Sequence, residues 1–493
     1  MELKEGVSNS RMTDSNNIRG KTISGFFWQL SQKVLCQVVS FGISVVLARI
    51  LLPSDYGVVA ICSMFLILTG IFISGGLGTA LVQKKDADDL DFCTVFYSGL
   101  VLSIGVYIAV FFAAPLIAEF FKNEQITSVI RVLALAMPIG ALSGVQNAFV
   151  SRQMIFKKFF YSTLIGTFAS GAVGLGMALT GFGVWALVGQ NIVSTITNTL
   201  VLFCIIDWHP KLRFSYERFK VLFSFGWKMS VVNVLTTFFY QLKGYVIGYK
   251  YSATQLAYYN RGEGLPGILY NNVNGTISDV LFPALSKLQD DKEALRRALR
   301  RAMRISSFFL MPALFGLAAI SSNLVIIIFS EKWAGSIPFM QVICLISCSD
   351  ILGMANYQAI KAVGRADTLL KMEFIKRPAM FAILIVTMFV SPLAIAVGQL
   401  VYSIIAFIVN AYPNRKYIEY PIVQQLTDVG RNFVISLLMA IVVYLIGLIG
   451  LNMYVCVAIQ IIVGFALYYS LARLFNKEDY EYVLEFVKNK LKK

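Results

Sequence analysis

Four basic side chains interrupt apolar stretches that are long enough to cross a membrane: Lys33, Arg131, Lys228 and Lys243. A charge at the centre of a membrane helix costs about 2.5–3.5 kcal/mol on insertion scales, so each of them needs a physical reason. Several spaced cations are natural partners of a diphosphate, because they form charge-assisted hydrogen bonds with phosphate oxygens. The surplus of positive charge therefore predicts an anionic ligand.

The depth of each basic residue separates the interpretations. Lys228 lies one to two turns inside its span and away from the polar face, which favours snorkelling to the interface. Lys33 lies deeper and near the centre of a polar stripe, which favours a place in a cavity. Arg131 and Lys243 each lie about one turn from an outer helix end, where ligand binding and anchoring of the helix both remain open.

Polar side chains line one face of several spans. Gln29 and Gln37 share the face of Lys33, and Asn233 and Tyr240 share a face on the seventh span. Amides, hydroxyls and a phenol suit a ligand with many hydroxyls, such as a sugar chain, in a hydrated cavity. The alternative is hydrogen bonding between helices. The candidate substrate-binding residues are Gln29, Lys33, Gln37, Arg49, Arg131, Asn233, Tyr240 and Lys243.

Two intramembrane acids, Asp279 and Asp350, are candidates for ion coupling, and a structural pair with a basic neighbour is the alternative for each. The single histidine, His209, lies in a loop and argues against histidine triads and zinc sites. The seven cysteines lie in or beside apolar runs without metal-ligand spacing. We therefore expect no metal and no cofactor.

The elements that position these residues are membrane helices. The 493-residue chain is 57% apolar and only 14% charged, and apolar runs of about 20 residues recur almost from end to end. We expect an all-α polytopic membrane protein with about fourteen spans. A weak repeat of about 200 residues groups them into two six-helix lobes and two C-terminal helices. The predicted segments are a tail (1–23), an N-lobe (24–206), a linker (207–221), a C-lobe (222–412), spans thirteen and fourteen (413–472) and a tail (473–493).

Basic residues orient the chain. Most of the 43 lysines and arginines fall in the two tails and alternate loops, whereas the opposite loops hold only Arg49, Lys122, Lys250, Arg261 and Lys332. Both termini are predicted to be cytoplasmic by the positive-inside rule. The net charge of +16 is then explained by contact with anionic lipid rather than nucleic acid. The arginine-rich segment 296–304 is predicted to be an amphipathic helix at the cytoplasmic surface.

Several motifs carry a family resemblance: LARILLPSDYG after span one, IGYKYSATQLAYYNRGEGLP after span seven, VLFPALSK, and NYQAIKAVGRADTLLKMEFIKR. With them the chain resembles the polysaccharide-exporter branch of the multidrug/oligosaccharidyl-lipid/polysaccharide superfamily. The resemblance implies a flippase of the bacterial inner membrane that moves undecaprenyl-diphosphate-linked repeat units of an O-antigen or capsule oligosaccharide by alternating access. Applied to this chain, Lys33 and Lys243 would hold the diphosphate. Polymerase and chain-length proteins of the same pathway would be partners.

Two other functions stay open. A drug or other lipid exporter of the same superfamily is the nearer alternative. A membrane polymerase or ligase of the same pathway is the more distant one, because such enzymes need catalytic acids outside the membrane. The longest predicted outer loop, near 249–262, contains no acid. We expect that the chain is not an enzyme.

Overall fold

The structure is a computed structural model that describes residues 35–74, 76–84, 86–153, 155–276, 281–481 and 484–485. The described residues form two compact units, Met1–Thr254 and Gln255–Lys493. Helices dominate both units, and no β-strand occurs among the described residues. The predicted all-α membrane fold is confirmed.

The first unit contains nine helices in its described part. They are α1 (described over Leu35–Ile50), α2 (Pro53–Ser74), α3 (Leu77–Gln83), α4 (Asp89–Phe120), α5 (Gln125–Leu133), α6 (Ala136–Gln153), α7 (Phe156–Leu179), α8 (Val184–Ile205) and α9 (Tyr216–Lys250). Helices α7 and α8 pack along each other as a hairpin. Their short connection turns at Gly181 and Gly183, which both adopt positive φ.

The described part of the second unit has nine helices up to Phe475, one 3₁₀ turn (Glu331–Ser336) and a further helical segment at 477–481. The helices are α10 (Ala253–Thr276, whose first two residues belong to the first unit), α11 (Phe282–Ser286), α12 (Lys292–Phe329), α13 (Ile337–Ala362), α14 (Ala366–Thr387), α15 (Pro392–Ala411), α16 (Asn414–Tyr417), α17 (Ile422–Gly447) and α18 (Met453–Phe475). Helix α12 is central and packs against α13, α17 and α18.

Side-chain caps fix where several of these helices begin. Asp88 caps α4 in a capping box with Asp91, and Ser215 caps α9. Asp291 caps α12 and Ser391 caps α15, each by accepting a hydrogen bond from one backbone N–H. These caps satisfy backbone N–H groups that would otherwise lack a partner.

The apolar surface is that of a membrane protein. Helix α4 exposes Val101 (71%), Phe112 (72%) and Leu116 (69%), and similar side chains cover the outside of both units. Eleven described helical segments are long and apolar enough to span a membrane. Each of the fourteen predicted spans overlaps a described helix; α10 and α14 are too polar to count among the eleven, and only part of α1 is described. The number fourteen is consistent with the structure and stays a prediction.

Two details of the predicted spans are wrong. The outer loop expected near 249–262 is mostly helical, because α9 ends at Lys250 and α10 already begins at Ala253. The second span was predicted over 57–82, but α2 ends at Ser74 and a separate helix, α3, begins at Leu77. The predicted fourth span, 127–150, lies within one apolar segment, Gln125–Gln153, in which α5 and α6 follow each other with a short turn between them. The predicted lobe boundaries stay a prediction, while α9, the expected start of the C-lobe, packs against α2, α3 and α4 of the first unit.

Candidate functional site

Helix α9 carries three of the predicted site residues on one side. Asn233, Tyr240 and Lys243 fall within about 80° of each other at 100° per residue. The Nζ atom of Lys243 lies 5.1 Å from the centre of the Tyr240 ring. Tyr240 is 62% exposed, whereas Lys243 and Asn233 are half-buried. This face offers a cation, a phenol and an amide together.

Aromatic packing fixes the opposite side of α9. The Tyr245 hydroxyl donates to the Met64 carbonyl oxygen of α2 at 3.0 Å, and its ring meets that of Phe65 edge to face. One turn further, Tyr249 stacks on Phe120 of α4 with ring centres 4.2 Å apart. Because these contacts set the rotation of α9, they determine which way Tyr240 and Lys243 point.

Arg131 is held in a structural contact. Its Nε donates to the Phe111 carbonyl oxygen at 3.1 Å, and its guanidinium lies 4.2 Å from the centre of the Phe111 ring. The arginine thereby joins α5 to α4. These contacts favour the anchoring interpretation of Arg131, although they do not test its binding role.

Two other candidate substrate-binding residues lie far apart on α1. Gln37 and Arg49 are both exposed on α1. Their spacing places them about 18 Å apart along the helix axis and about 120° apart around it. They therefore do not form one subsite by themselves. Gln29 and Lys33, on the same predicted span, lie outside the described residues, as does Asp279.

Asp350 belongs to a cluster of mixed charge in the second unit. Together with Glu373 and Arg377 it lies within electrostatic range of the Tyr402 hydroxyl on α15. Glu373 pairs with Lys376 at 2.6 Å and with Arg377 at 3.0 Å. Both of these ion pairs belong to Glu373, so a structural role and ion coupling both remain predictions for Asp350.

A cavity of about 520 Å³ lies among the helices of the first unit. Ser63 and Asn191 contribute polar groups to its lining, and five glycines form much of its wall: Gly70, Gly78, Gly99, Gly140 and Gly144. Asn191 lies on α8, and Asn198 two turns further along shares its face. Asn198 on the same helix instead accepts a hydrogen bond from Ser162 of α7. This face therefore serves both a cavity and interhelical bonding.

Sequence reasoning missed an ion-paired cluster at the start of α4. Asp91 is fully buried and pairs with Lys84 at 2.7 Å and with Arg218 of α9 at 3.1 Å. Arg218 also pairs with Asp88. The acid-rich segment DADDLD at 86–91 was a visible signal, but its partner on α9 is distant in sequence. Among the described residues, no group of three or more histidines, cysteines and acids could hold a metal ion.

The chain is similar in sequence to proteins of polysaccharide biosynthesis. The chain is 26% identical to the lipopolysaccharide biosynthesis protein WzxC of Escherichia coli K12, over 88% of this chain and 89% of WzxC. It is also 26% identical to the succinoglycan biosynthesis transport protein ExoT of Rhizobium meliloti, over 63% and 64% of the two chains. Of these two relatives, ExoT is named as a transport protein. The expectation that the chain is not an enzyme is confirmed.

Solved structures show the same fold. The lipid II flippase MurJ in its inward closed conformation superposes with a TM-score of 0.74 at 14% identity, covering 92% of this chain and 99% of MurJ. An inward-facing multidrug resistance transporter of the MATE family and MOP superfamily gives a TM-score of 0.61 at 14% identity, over 77% and 94%. These two similarities show the fold of the chain.

A family model described as polysaccharide biosynthesis protein matches residues 46–338, a range that includes α9 and the cavity. This range is more than half of the chain. The chain therefore belongs to this polysaccharide biosynthesis family.

Proposed function

We propose that the protein is a flippase that moves undecaprenyl-diphosphate-linked oligosaccharide repeat units across the bacterial inner membrane by alternating access. The observation that carries the proposal is the α9 face, where Lys243 and Tyr240 lie together on a membrane helix. A cation there suits a diphosphate and a phenol suits a sugar. The names of WzxC and ExoT, and the flippase fold of MurJ, support transport of a lipid-linked polysaccharide precursor.

The proposed division of labour follows residue chemistry. Lys33 and Lys243 hold the diphosphate, and Arg49 and Arg131 are further cationic candidates. Gln29, Gln37, Asn233 and Tyr240 bind sugar hydroxyls. The lipid tail stays in the bilayer. Asp279 and Asp350 are the candidates for coupling to an ion.

The proposed setting is the inner membrane with both termini in the cytoplasm. The cytoplasmic basic residues then contact anionic lipids. Polymerase and chain-length proteins of the same pathway act on the flipped product. O-antigen and capsule units are both candidate cargoes, because sugar selectivity depends on the shape of a cavity rather than on one motif.

A drug or other lipid exporter is the second candidate function, favoured by the match to a multidrug transporter fold. Its ligands would not require a diphosphate site. The polymerase or ligase alternative is weakened further, because the expected outer loop near 249–262 is mostly helix.

A deletion strain tests the proposal. Without this protein, lipid-linked repeat units should accumulate in the inner leaflet while their synthesis continues, and a plasmid copy should restore their outer-leaflet delivery. Normal delivery in the deletion strain, in the absence of a second flippase gene, would contradict the proposal. Unchanged delivery with increased drug sensitivity would support the exporter.

A further inference from the structure

The two ends of α9 are held against the first unit by different forces. At the end near Lys250, which we name the aromatic end, Tyr245 and Tyr249 pack against Phe65, Phe120 and Phe121. The Tyr245 hydroxyl bond to α2 adds a fixed point. Tyr245 is half-buried, Ile247 beside it is fully buried, and aromatic rings stack in preferred geometries, so apolar packing holds this end.

The other end, Tyr216–Ser230, which we name the polar end, has a narrow contact. Among its described side chains, only Leu222, Gly226 and Ser230 are buried, one residue per turn. Phe223, Trp227 and Lys228 are exposed beside them. Of the side chains that the structure describes at this end, Leu222 is the one large apolar group that is buried, in a cluster with Leu77 and Phe92, so the apolar contact is narrow.

Glycines make the closest approach at the polar end. A Cβ atom added to Gly76, just before α3, would overlap the backbone of Gly226, and one added to Gly226 would overlap Gly76. Two backbones that touch without side chains can separate without leaving an apolar cavity behind. The contact permits close packing but supplies little apolar burial to hold it.

Ion pairs add to this narrow apolar contact. Arg218, in the first turn of α9, pairs with Asp88 and Asp91 at the start of α4. The linker before α9, residues 207–215, adds bonds from Trp208 Nε1 and Lys211 Nζ to Asp89 at 2.8 and 2.9 Å. The Lys211 and Asp89 side chains are 63% and 39% exposed, and exposed pairs of this kind contribute little and exchange readily with water.

We propose that the polar end of α9 and its linker form a latch that opens during the transport cycle, while the aromatic end stays seated as the pivot. The ion pairs of Asp88, Asp89 and Asp91 with Arg218 and Lys211 hold the latch closed in this structure. Opening would move the polar end of α9 away from α3 and α4 on the side predicted to be cytoplasmic. The inference rests on the proposed transport function.

The accessibility of a native cysteine, Cys93, can report this movement. Cys93 is fully buried beneath the linker, where its Sγ accepts a hydrogen bond from the Lys211 backbone N–H at 3.4 Å. Cys204 is exposed, and the other six cysteines are buried. In a Cys204→Ser background, a water-soluble maleimide can therefore report opening at Cys93, with the labelled peptide identified by mass spectrometry.

The experiment compares labelling rates of the full chain in lipid nanodiscs. Arg218→Gln should raise the labelling rate of Cys93 about tenfold, because the rate follows the open population when opening is fast. Arg218→Lys keeps a charge and should label more slowly than Arg218→Gln. Lys228→Gln, on the same end of α9 but exposed and outside the pairs, is the matched control and should label like the parent. Cys456, buried in the second unit, should stay unlabelled throughout and report global unfolding.

An unchanged rate in Arg218→Gln, or an equal rise in Lys228→Gln, overturns the latch. If Cys456 also becomes labelled, a second measurement decides. An Asp88→Cys/Arg218→Cys protein closed by a short, reducible bifunctional thiol reagent should lose transport and regain it on reduction. Transport at the same rate before and after cross-linking overturns the latch. Labelling needs no substrate, so its failure is distinct from a failure of the flippase proposal.

Discussion

Lys243 and Lys228 lie on the same helix, and the structure gives them different surroundings. Lys243 is half-buried beside the Tyr240 ring, whereas Lys228 is exposed on the apolar surface. We predict that Lys243→Gln lowers outer-leaflet delivery about tenfold at equal expression, in proportion to one lost charge-assisted contact. Lys228→Gln should stay close to the parent. Equal losses in the two variants would place the role of Lys243 in anchoring α9 instead.

Lys33 provides a comparison on the first span. Its predicted position near the centre of a polar stripe leads us to expect that Lys33→Ala impairs transport more than Lys228→Ala. The measurement is delivery of repeat units at matched protein level. Similar effects of both substitutions would refute the cavity role of Lys33.

The latch should respond to acid but not to changes near neutral pH. The Asp91 backbone N–H and the Arg218 guanidinium hold the pKa of Asp88 below its ordinary value of 3.8. A lowered pKa in the closed state stabilises closure above the ordinary pKa, and this contribution is lost as pH falls through the lowered value. Hydrogen exchange of linker 207–215, corrected for intrinsic rates, should stay constant from about pH 8 to pH 6 and rise only below about pH 4. A rise between pH 8 and pH 6 would assign the latch to other groups.

Helical spacing was enough to predict that Asn233 and Tyr240 share a face, since neighbours within one helix follow from its geometry alone. The partners of Arg131 and Arg218 could not be predicted. Phe111 lies on another helix from Arg131, and Asp88 and Asp91 lie on another helix from Arg218. Contacts between helices depend on how each helix is rotated, and here aromatic packing around Tyr245 and Tyr249 sets that rotation for α9.

Among the helices, the arginine-rich start of α12 differs from its predicted place on the membrane surface. The segment was predicted to lie on the membrane surface, but it forms the first turns of one continuous helix, Lys292–Phe329. Leu295, Leu299 and Met303 on its apolar side are fully buried in the protein. An apolar stripe of helical period fits a protein interior as well as a bilayer, so periodicity alone could not distinguish the two.

The same helix gives a stability prediction. Arg304 pairs with Asp479 at 2.6 Å, and the two side chains are 13% and 10% exposed. Removing one partner of a buried pair costs about 3–5 kcal/mol. Arg304→Ala should therefore lower the thermal midpoint of unfolding of the purified protein.

Arg297→Ala is the matched control for this prediction. Arg297 pairs with Glu293 on the same helix, but both side chains are 64% exposed, and such a pair is worth about 0.3–0.5 kcal/mol. Its midpoint should stay near that of the parent. Equal shifts for the two variants would show that the contact between α12 and the segment after α18 contributes no more than a surface pair.

At the scale of the whole molecule, composition and apolar run length were sufficient for the fold class. Long apolar runs leave the backbone no partner except itself, so helices were the required form for the spans. The helix ends were harder to predict. The start of α10 at Ala253 and the break before α3 depend on local packing: Gly57 meets Ala253, and Gly76 meets Gly226, without room for a side chain.

The central claim is that this chain carries a lipid-linked oligosaccharide across a membrane. Purified protein in liposomes that contain undecaprenyl-diphosphate-linked oligosaccharide tests it most directly, with a membrane-impermeant hydrolase that cleaves only the units exposed outside. The protected inner fraction should become cleavable in the presence of the protein, and more slowly with Lys243→Gln than with Lys228→Gln. An inner fraction that remains protected, as in protein-free liposomes, under every imposed proton or sodium gradient would contradict the claim.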